Sequence, residues 1–276
     1  MISGSTRLAA VIGSPVRHSL SPALHNAAFA ELGLDWVYVA LHVEVGRAAA
    51  ALDAMRVLGL GGLSVTAPHK EDVAAAVDSL DPAAAALRSV NTVVPQTDGT
   101  LRGYSTDGAG FVASLAEASV EVSGRSVAVL GAGGAARAII DALGRNGAAR
   151  IAVVNRTASS AESAAALGGR VGVVGAAGDI RTADIVVNAT SVGMGTSDAP
   201  CDTSLLHGGQ TVADIVYHPR RTAFLDAASV VGARTVEGLG MLVHQAVLQQ
   251  RLWHGGSPSA TVMAAAAERE LAARGQ

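Results

Sequence analysis

A single cysteine, Cys201, occurs among 276 residues, so no disulfide can form within the chain. It lies in a polar segment with no flanking histidine or lysine, and no role is expected of it. Aromatic residues are only 3% although half of all residues are hydrophobic, so the core must be aliphatic. No uncharged apolar run reaches the roughly 18 residues of a membrane-spanning helix. The apolar run Leu8–Ile12 is too short for a signal-peptide core and ends in Gly13-Ser14-Pro15. A soluble cytoplasmic protein with no membrane partner is expected. The formal net charge is −3 and no Lys/Arg run is present, which argues against nucleic acid as a partner. The histidines at 18, 25, 42, 69, 207, 218, 244 and 254 show no metal-ligand spacing, so no metal is expected.

What is present is glycine in a telling place. Gly131-Ala132-Gly133-Gly134-Ala135-Ala136 follows the apolar run Ser126–Leu130 and opens a helical pattern from Ala135 to Asn146. That context gives the G-x-G-x-x-A spelling its meaning as a dinucleotide site. Gly131 allows a tight turn, Gly133 lets the backbone approach a pyrophosphate, and Ala136 keeps the helix close to the sheet. Bare N–H groups at the helix start attract phosphates. A second strand, Arg150–Val154, ends where a carboxylate would hold the ribose 2′-hydroxyl of NAD. Asn155 and Arg156 stand there instead. An amide beside a guanidinium suits a 2′-phosphate, so the expected cofactor is NADP.

The length suits two domains. Strands are expected at Leu8–Ile12, Trp36–His42, Gly62–Val65, Val90–Pro95 and Leu101–Tyr104, with helices at Ser21–Leu32 and Arg47–Leu58. Ser21 is expected as N-cap and Pro22 as the first helical residue. Asp98-Gly99 reads as a hairpin turn, so the first sheet should be mixed. A helix, Gly108–Ala118, leads into strands near 127–130, 150–154, 171–174, 184–188, 211–215 and 234–236. Leu239–Trp253 reads as an amphipathic helix and Ser259–Arg274 as another. The fold class is α/β: an N-terminal α/β domain with a mixed sheet, plus a Rossmann-type nucleotide-binding domain. The expected boundaries are 1–105, completed by the C-terminal helices of 239–276, and 106–238.

Four polar clusters fall at expected strand ends or helix starts, where α/β folds place ligands. They are Ser19-Leu20-Ser21-Pro22, Ser64 to Lys70, Ser89-Val90-Asn91-Thr92 and Ser105-Thr106-Asp107-Gly108. Together they suit a small, acidic, polyhydroxylated ligand. Singly, Ser21 reads as a helix cap, Lys70 as a solvated lysine and Asp107 as an N-cap. A lysine at a helix start is disfavoured by the macrodipole, so Lys70 needs a local reason.

These clusters, with Val65-Thr66-x-Pro68-x-Lys70, Asn188-Ala189-Thr190-Ser191-Val192-Gly193-Met194, Asp214-Ile215-Val216-Tyr217-x-Pro219 and Gly238-Leu239-Gly240-Met241-Leu242-Val243-x-Gln245, resemble the shikimate dehydrogenase family. The resemblance runs from about residue 11 to 250, in the family's order and spacing, including the 37 positions from Lys70 to Asp107. It implies two α/β domains with a cleft between them. It implies reversible NADPH-dependent reduction of 3-dehydroshikimate to shikimate, in aromatic amino-acid biosynthesis, by a monomer or homodimer. Carried over position by position, Lys70 and Asp107 would be the catalytic pair. Ser19 and Ser21 would bind the substrate carboxylate, and Thr66, Asn91, Asp107, Tyr217 and Gln245 its hydroxyls. Gly131, Ala132, Gly133, Gly134 and Ala135 would cradle the pyrophosphate. Asn155, Arg156 and Thr157 would hold the 2′-phosphate. Thr190, Ile215, Gly238 and Met241 would line the nicotinamide and its ribose.

The chain departs from the family pattern at four positions. Ser64 and Ser105 stand where asparagine is usual, which implies a wider pocket or one that uses water. His69 stands at a position often large and apolar, and a structural role is expected for it. Ser160 replaces a second basic residue, leaving Arg156 as the main cation for a 2′-phosphate. Two other readings remain open: a quinate/shikimate or aminoshikimate-type dehydrogenase, and a non-catalytic metabolite-binding paralogue. Relatives of the first kind more often carry an acidic residue at position 155 and threonine at position 21. A paralogue of the second kind would tolerate loss of Lys70 or Asp107.

Overall fold

The N-terminal alternation of apolar runs folds as strands and helices in turn. They are β1 (Arg7–Gly13), α1 (Ser21–Glu31), β2 (Trp36–His42), α2 (Ala48–Leu58), β3 (Gly62–Val65) and α3 (Lys70–Ala76). Then come β4 (Ser79–Leu80), α4 (Pro82–Leu87), β5 (Thr92–Pro95) and β6 (Leu101–Tyr104). A computed structural model describes residues 2–275. Two units are distinguished: residues up to Thr106 with those from Gln245 on, and Asp107–His244.

The first unit is built on a mixed sheet ordered β2-β1-β3-β5-β6-β4. β1 runs parallel to β2 and β3, whereas β5 is antiparallel to both β3 and β6. Alternation along β1 feeds two core layers. Ala10 and Ile12 pack with Leu52, Met55, Leu63 and Val93, while Ala9 and Val11 pack with Phe29, Tyr38 and Trp253.

One local expectation is corrected. Ser21 does not cap α1: the cap is Leu20, already helical at φ −85° and ψ −11°, and no side chain caps the helix. Ser21 and Pro22 become its first two residues. The Ser21 N–H instead donates to Ser19 Oγ at 3.2 Å, so the Ser21 hydroxyl is released from capping.

The second unit comprises α5 (Asp107–Glu117), β7 (Ser126–Leu130), α6 (Gly134–Arg145), β8 (Arg150–Val154), α7 (Ala158–Ala165), β9 (Gly172–Val174) and α8 (Ala177–Thr182). It continues with β10 (Ile185–Asn188), β11 (Thr211–Asp214), α9 (Ala223–Val230) and β12 (Arg234–Val236). Its sheet is wholly parallel, ordered β12-β11-β10-β7-β8-β9. That is the doubly wound dinucleotide order, which reverses between β7 and β10 and places the ligand crevice beyond the strand C-termini there. Val127 and Val129 pack with Ile139 and Ile151 on one face, and Ala128 and Leu130 with Val186 and Phe224 on the other.

The chain ends in α10 (Gly238–His254) and α11 (Ala260–Ala273), with Ser259 Oγ accepting the Val262 N–H as the α11 cap. α10 is not amphipathic as expected. Arg251 is its only exposed residue, and glutamines as well as apolar side chains are buried along it. Such a helix is an interior element, not a surface one. Among the described residues no helix is long and apolar enough to cross a membrane.

Candidate active site

In the first unit, parallel pairing aligns the C-terminal ends of β1 and β3 and sets their following loops side by side. Thr66 N–H donates to Ile12 O at 2.9 Å, and Ser14 N–H donates to Ala67 O at 3.1 Å. A Cβ on Gly13 would lie 2.4 Å from Thr66 Cγ2, so only glycine permits this approach. Lys70 opens α3, and its carbonyl accepts the Val90 N–H at 3.0 Å. The next residue, Asn91, accepts the Val65 N–H on its own carbonyl at 2.8 Å. Thr66, Lys70 and Asn91 are thereby held by one backbone frame. Asn91 is buried, and its Oδ1 accepts the Thr106 N–H at 2.9 Å and the Thr92 hydroxyl at 2.8 Å. Ser19 precedes α1, Ser21 begins it, and Gln245 is buried on α10. His69 is fully buried, with Nε2 2.8 Å from Val43 O, a structural contact that ties the loop after β2 to the start of α3.

Two residues beneath this frame, Tyr38 and Gln249, escaped the sequence reading. The Tyr38 hydroxyl lies 2.7 Å from Ser64 Oγ, and Ser64 Oγ lies 2.8 Å from Gln249 Oε1. Gln249 Nε2 donates to Asn91 O at 3.2 Å. The hydroxyl of the serine at position 64 is therefore engaged by a glutamine from α10. Burial pushes the Tyr38 hydroxyl pKa above its ordinary range, against its hydrogen bonds with Ser64 and Ser21.

In the second unit, Gly131 has φ +111°, and a Cβ there would lie 2.8 Å from Thr190 Cγ2. The glycine turn and the loop after β10 therefore touch. Gly133 caps α6 without a side chain, and nothing lies within 4 Å of a Cβ built on Gly133 or Gly134. Open space in front of a bare helix start is what a pyrophosphate needs. Asn155, Arg156 and Thr157 follow β8, the neighbour of β7, where Gly131 N–H donates to Val154 O at 2.9 Å. Arg156 and Thr157 are exposed, and Asn155 Nδ2 donates to Thr157 O at 3.1 Å, bracing that turn. These residues fit NADP.

Ile215 meets α10 at its start: a Cβ on Gly238 would lie 2.5 Å from the carbonyl carbon and oxygen of Ile215. Met241 is buried in the cluster against which Ile215 packs. Both loops here hang on Asp214, which is 1% exposed. Its carboxylate accepts the Asn188 amide at 2.9 Å, the Val216 N–H at 2.9 Å and the Thr222 hydroxyl at 2.8 Å. Asn188 Oδ1 in turn accepts the Thr190 hydroxyl at 2.7 Å. Asp107 is the first residue of α5, and Tyr217 follows in the loop after β11.

Three family descriptions match successive stretches of the chain. "Shikimate dehydrogenase substrate binding domain" matches residues 11–93, "Shikimate / quinate 5-dehydrogenase" 114–194 and "Shikimate 5'-dehydrogenase C-terminal domain" 238–268. The chain is 46% identical to a shikimate dehydrogenase (NADP(+)) of Rubrobacter xylanophilus, over 95% of either protein. It superposes on a shikimate dehydrogenase crystallised with NADP+ at a TM-score of 0.93 and 35% identity, covering 98% of this chain and 97% of that one. A quinate dehydrogenase of Corynebacterium glutamicum in complex with NAD gives a TM-score of 0.88 at 34% identity, covering 95% of this chain and 98% of that one.

Proposed function

The chain belongs to the shikimate dehydrogenase family, and from that premise we propose that it reduces 3-dehydroshikimate reversibly to shikimate with NADPH, in aromatic amino-acid biosynthesis. The observation that carries this reading is the common backbone frame that gathers Thr66, Lys70 and Asn91 at the end of the mixed sheet. It combines a proton donor, a hydroxyl and an amide, as a polyhydroxylated ketone requires. When bound, NADPH supplies the hydride.

The first unit serves as the substrate domain and the second as the NADP domain. Ser19 and Ser21 bind the carboxylate, and Thr66, Asn91, Asp107, Tyr217 and Gln245 hold the hydroxyls. As the carbonyl carbon gains a hydride, its oxygen takes a proton from the Lys70 ammonium, and solvent returns the proton to Lys70. Asp107 completes the catalytic pair by orienting the hydroxyl next to the reacting carbon. Gly131 to Ala135 receive the pyrophosphate on backbone N–H groups. Arg156 binds the 2′-phosphate, with Asn155 and Thr157 shaping the turn around it. Thr190, Ile215, Gly238 and Met241 enclose the nicotinamide end. The enzyme works in the cytoplasm on small molecules alone, as a monomer or homodimer.

The test is an assay of NADP+ and NAD+ reduction by the purified protein, with shikimate and then with quinate. Shikimate with NADP+ should give the highest kcat/KM. Quinate carries an extra hydroxyl on the carboxylate-bearing carbon. Left unpaired in a site without a partner for it, that hydroxyl costs about 1–3 kcal/mol. Equal efficiency with quinate would place the enzyme in a catabolic branch instead.

A further inference from the structure

The amide and imidazole groups buried along α10 can be assigned a direction, because backbone atoms of known polarity stand along the chain. The Asn91 carbonyl only accepts, so the atom of Gln249 beside it is Nε2, and Oε1 faces Ser64. Ser64 must then donate to Gln249, and its oxygen is left to accept the Tyr38 proton. The order is Tyr38 to Ser64 to Gln249 to the Asn91 carbonyl.

A second branch runs beside it. The Gly256 N–H donates to His254 Nδ1 at 3.0 Å, so His254 Nε2 carries the proton and donates to Gln250 Oε1 at 3.1 Å. Gln250 Nε2 donates both to the His25 carbonyl and to His25 Nδ1, each at 3.1 Å. The His25 proton therefore sits on Nε2, which meets no partner at hydrogen-bonding geometry. His25 is fully buried and stacked on Tyr38 at 4.2 Å between ring centroids. Burial drives its pKa down to about 3, so both branches are neutral chains of fixed polarity. Gln249 is 2% exposed, Ser64 5% and Tyr38 1%.

We propose that Gln249 is a positioning residue for substrate binding: with Ser64 and Tyr38 it fixes the Asn91 backbone and the hydroxyl beside Ser21, and so sets the affinity for shikimate. This rests on the reading of Ser21 and Asn91 as substrate ligands. The Asn91 carbonyl has two donors, the Val65 N–H and the Gln249 amide. Losing the second frees the carbonyl from α10 while the sheet stays paired. At the other end, Tyr38 spends its only proton on Ser64. The Tyr38 oxygen is then left to meet the Ser21 hydroxyl only as an acceptor, which fixes how that hydroxyl is turned. Every member of the Tyr38–Ser64–Gln249 chain belongs to the first unit, so the effect should fall on shikimate and not on the nucleotide.

The experiment compares Gln249→Leu with Tyr38→Phe and Ser64→Ala in the full-length enzyme. It measures kcat, both KM values, the melting temperature, and shikimate binding by calorimetry without nucleotide. Gln249→Leu should raise the shikimate KM and Kd about 5- to 10-fold, the loss of a neutral hydrogen bond with its partner left buried. Tyr38→Phe and Ser64→Ala should raise them by about 2- to 5-fold. The NADP+ KM and kcat should stay within two-fold for all three. If Gln249→Leu does not fold, the two hydroxyl deletions carry the same test, since neither alters packing. A shikimate Kd unchanged in every folded variant overturns the proposal. So does a parallel loss of melting temperature, kcat and both affinities, which marks a merely structural network. An unmodified protein that fails to bind or oxidise shikimate overturns the proposed function itself, and with it the premise.

Discussion

Asp214→Ala should loosen two cofactor-side loops at once. It strips the acceptor from the Asn188 amide, the Val216 N–H and the Thr222 hydroxyl. Hydrogen bonds to a charged group contribute about 1.5–3 kcal/mol each, but the buried carboxylate also costs solvation, so a net loss of about 3 kcal/mol is expected. At about 2–4 °C per kcal/mol, the melting temperature should drop by about 6–12 °C. The NADP+ KM should rise, because Thr190 is held through Asn188 and Ile215 adjoins Asp214.

The pH dependence gives a sharper check. Burial is the largest influence on Asp214 and raises its pKa above 3.8, against the hydrogen bonds from Val216, Thr222 and Asn188. The folded protein thus holds this proton more tightly than the unfolded chain. The resulting stabilisation is complete below 3.8 and is lost as pH rises through the folded value. Asp214→Asn has no such proton. The melting temperature of the unmodified protein minus that of Asp214→Asn should therefore grow as pH falls from about 7 toward 4. Asp35, Asp78, Asp98, Asp184 and Asp202 are all shifted the opposite way, chiefly by hydrogen bonds, but they are common to both proteins and cancel. Thermal melts of the two proteins across that range decide the matter. A difference that is flat or shrinks on acidification refutes the reasoning, as does an Asp214→Ala protein that melts normally.

Lys70→Ala should cut kcat by about 10²–10⁴ with the shikimate Kd within a few-fold, and retention of a tenth of the rate would remove Lys70 as the proton donor. Lys70 is the only lysine in the chain, so an amine-reactive reagent should inactivate the enzyme, and shikimate should protect it. Arg156→Ala should largely erase the preference for NADP+ over NAD+. That preference is worth roughly 10- to 150-fold for one charge-assisted contact, whereas Ser160→Arg should tighten NADP+ alone. Titration of both cofactors tests this, and equal affinities in the unmodified protein would show that residues 155–157 are no phosphate site. Gly238→Ala places a Cβ 2.5 Å from the Ile215 carbonyl, which is backbone and must move. A loss of about 1–3 kcal/mol and a raised NADP+ KM are expected, and an unchanged melt and KM would refute the close approach.

The features legible in the sequence are those encoded in consecutive residues. β7, the glycine turn and α6 sit in one continuous run, and each residue's task there is local: Gly131 takes φ +111°, Gly133 leaves open space, and Ala136 is fully buried. Strands buried on both faces, such as β1, were readable for the same reason. β4 and α4 were not, because two residues or a short run of alanines carry no period. α10 misled more instructively. An amphipathic helix implies a solvent face, yet Gln249 and Gln250 are buried along with Gln245. A buried amide is tolerated only where both its donor and its acceptor are met, and for Gln249 those partners are Asn91 and Ser64, the latter 185 positions away. No window along the chain contains that pair. A serine at position 64 was read only against its chain neighbours, whereas its hydrogen-bond partner arrives from another element. The same argument corrects Ser21. Judged by its neighbours it was a helix cap, but Leu20 is already helical and Ser19 takes the N–H, so its hydroxyl is left for a partner that only the folded first unit supplies.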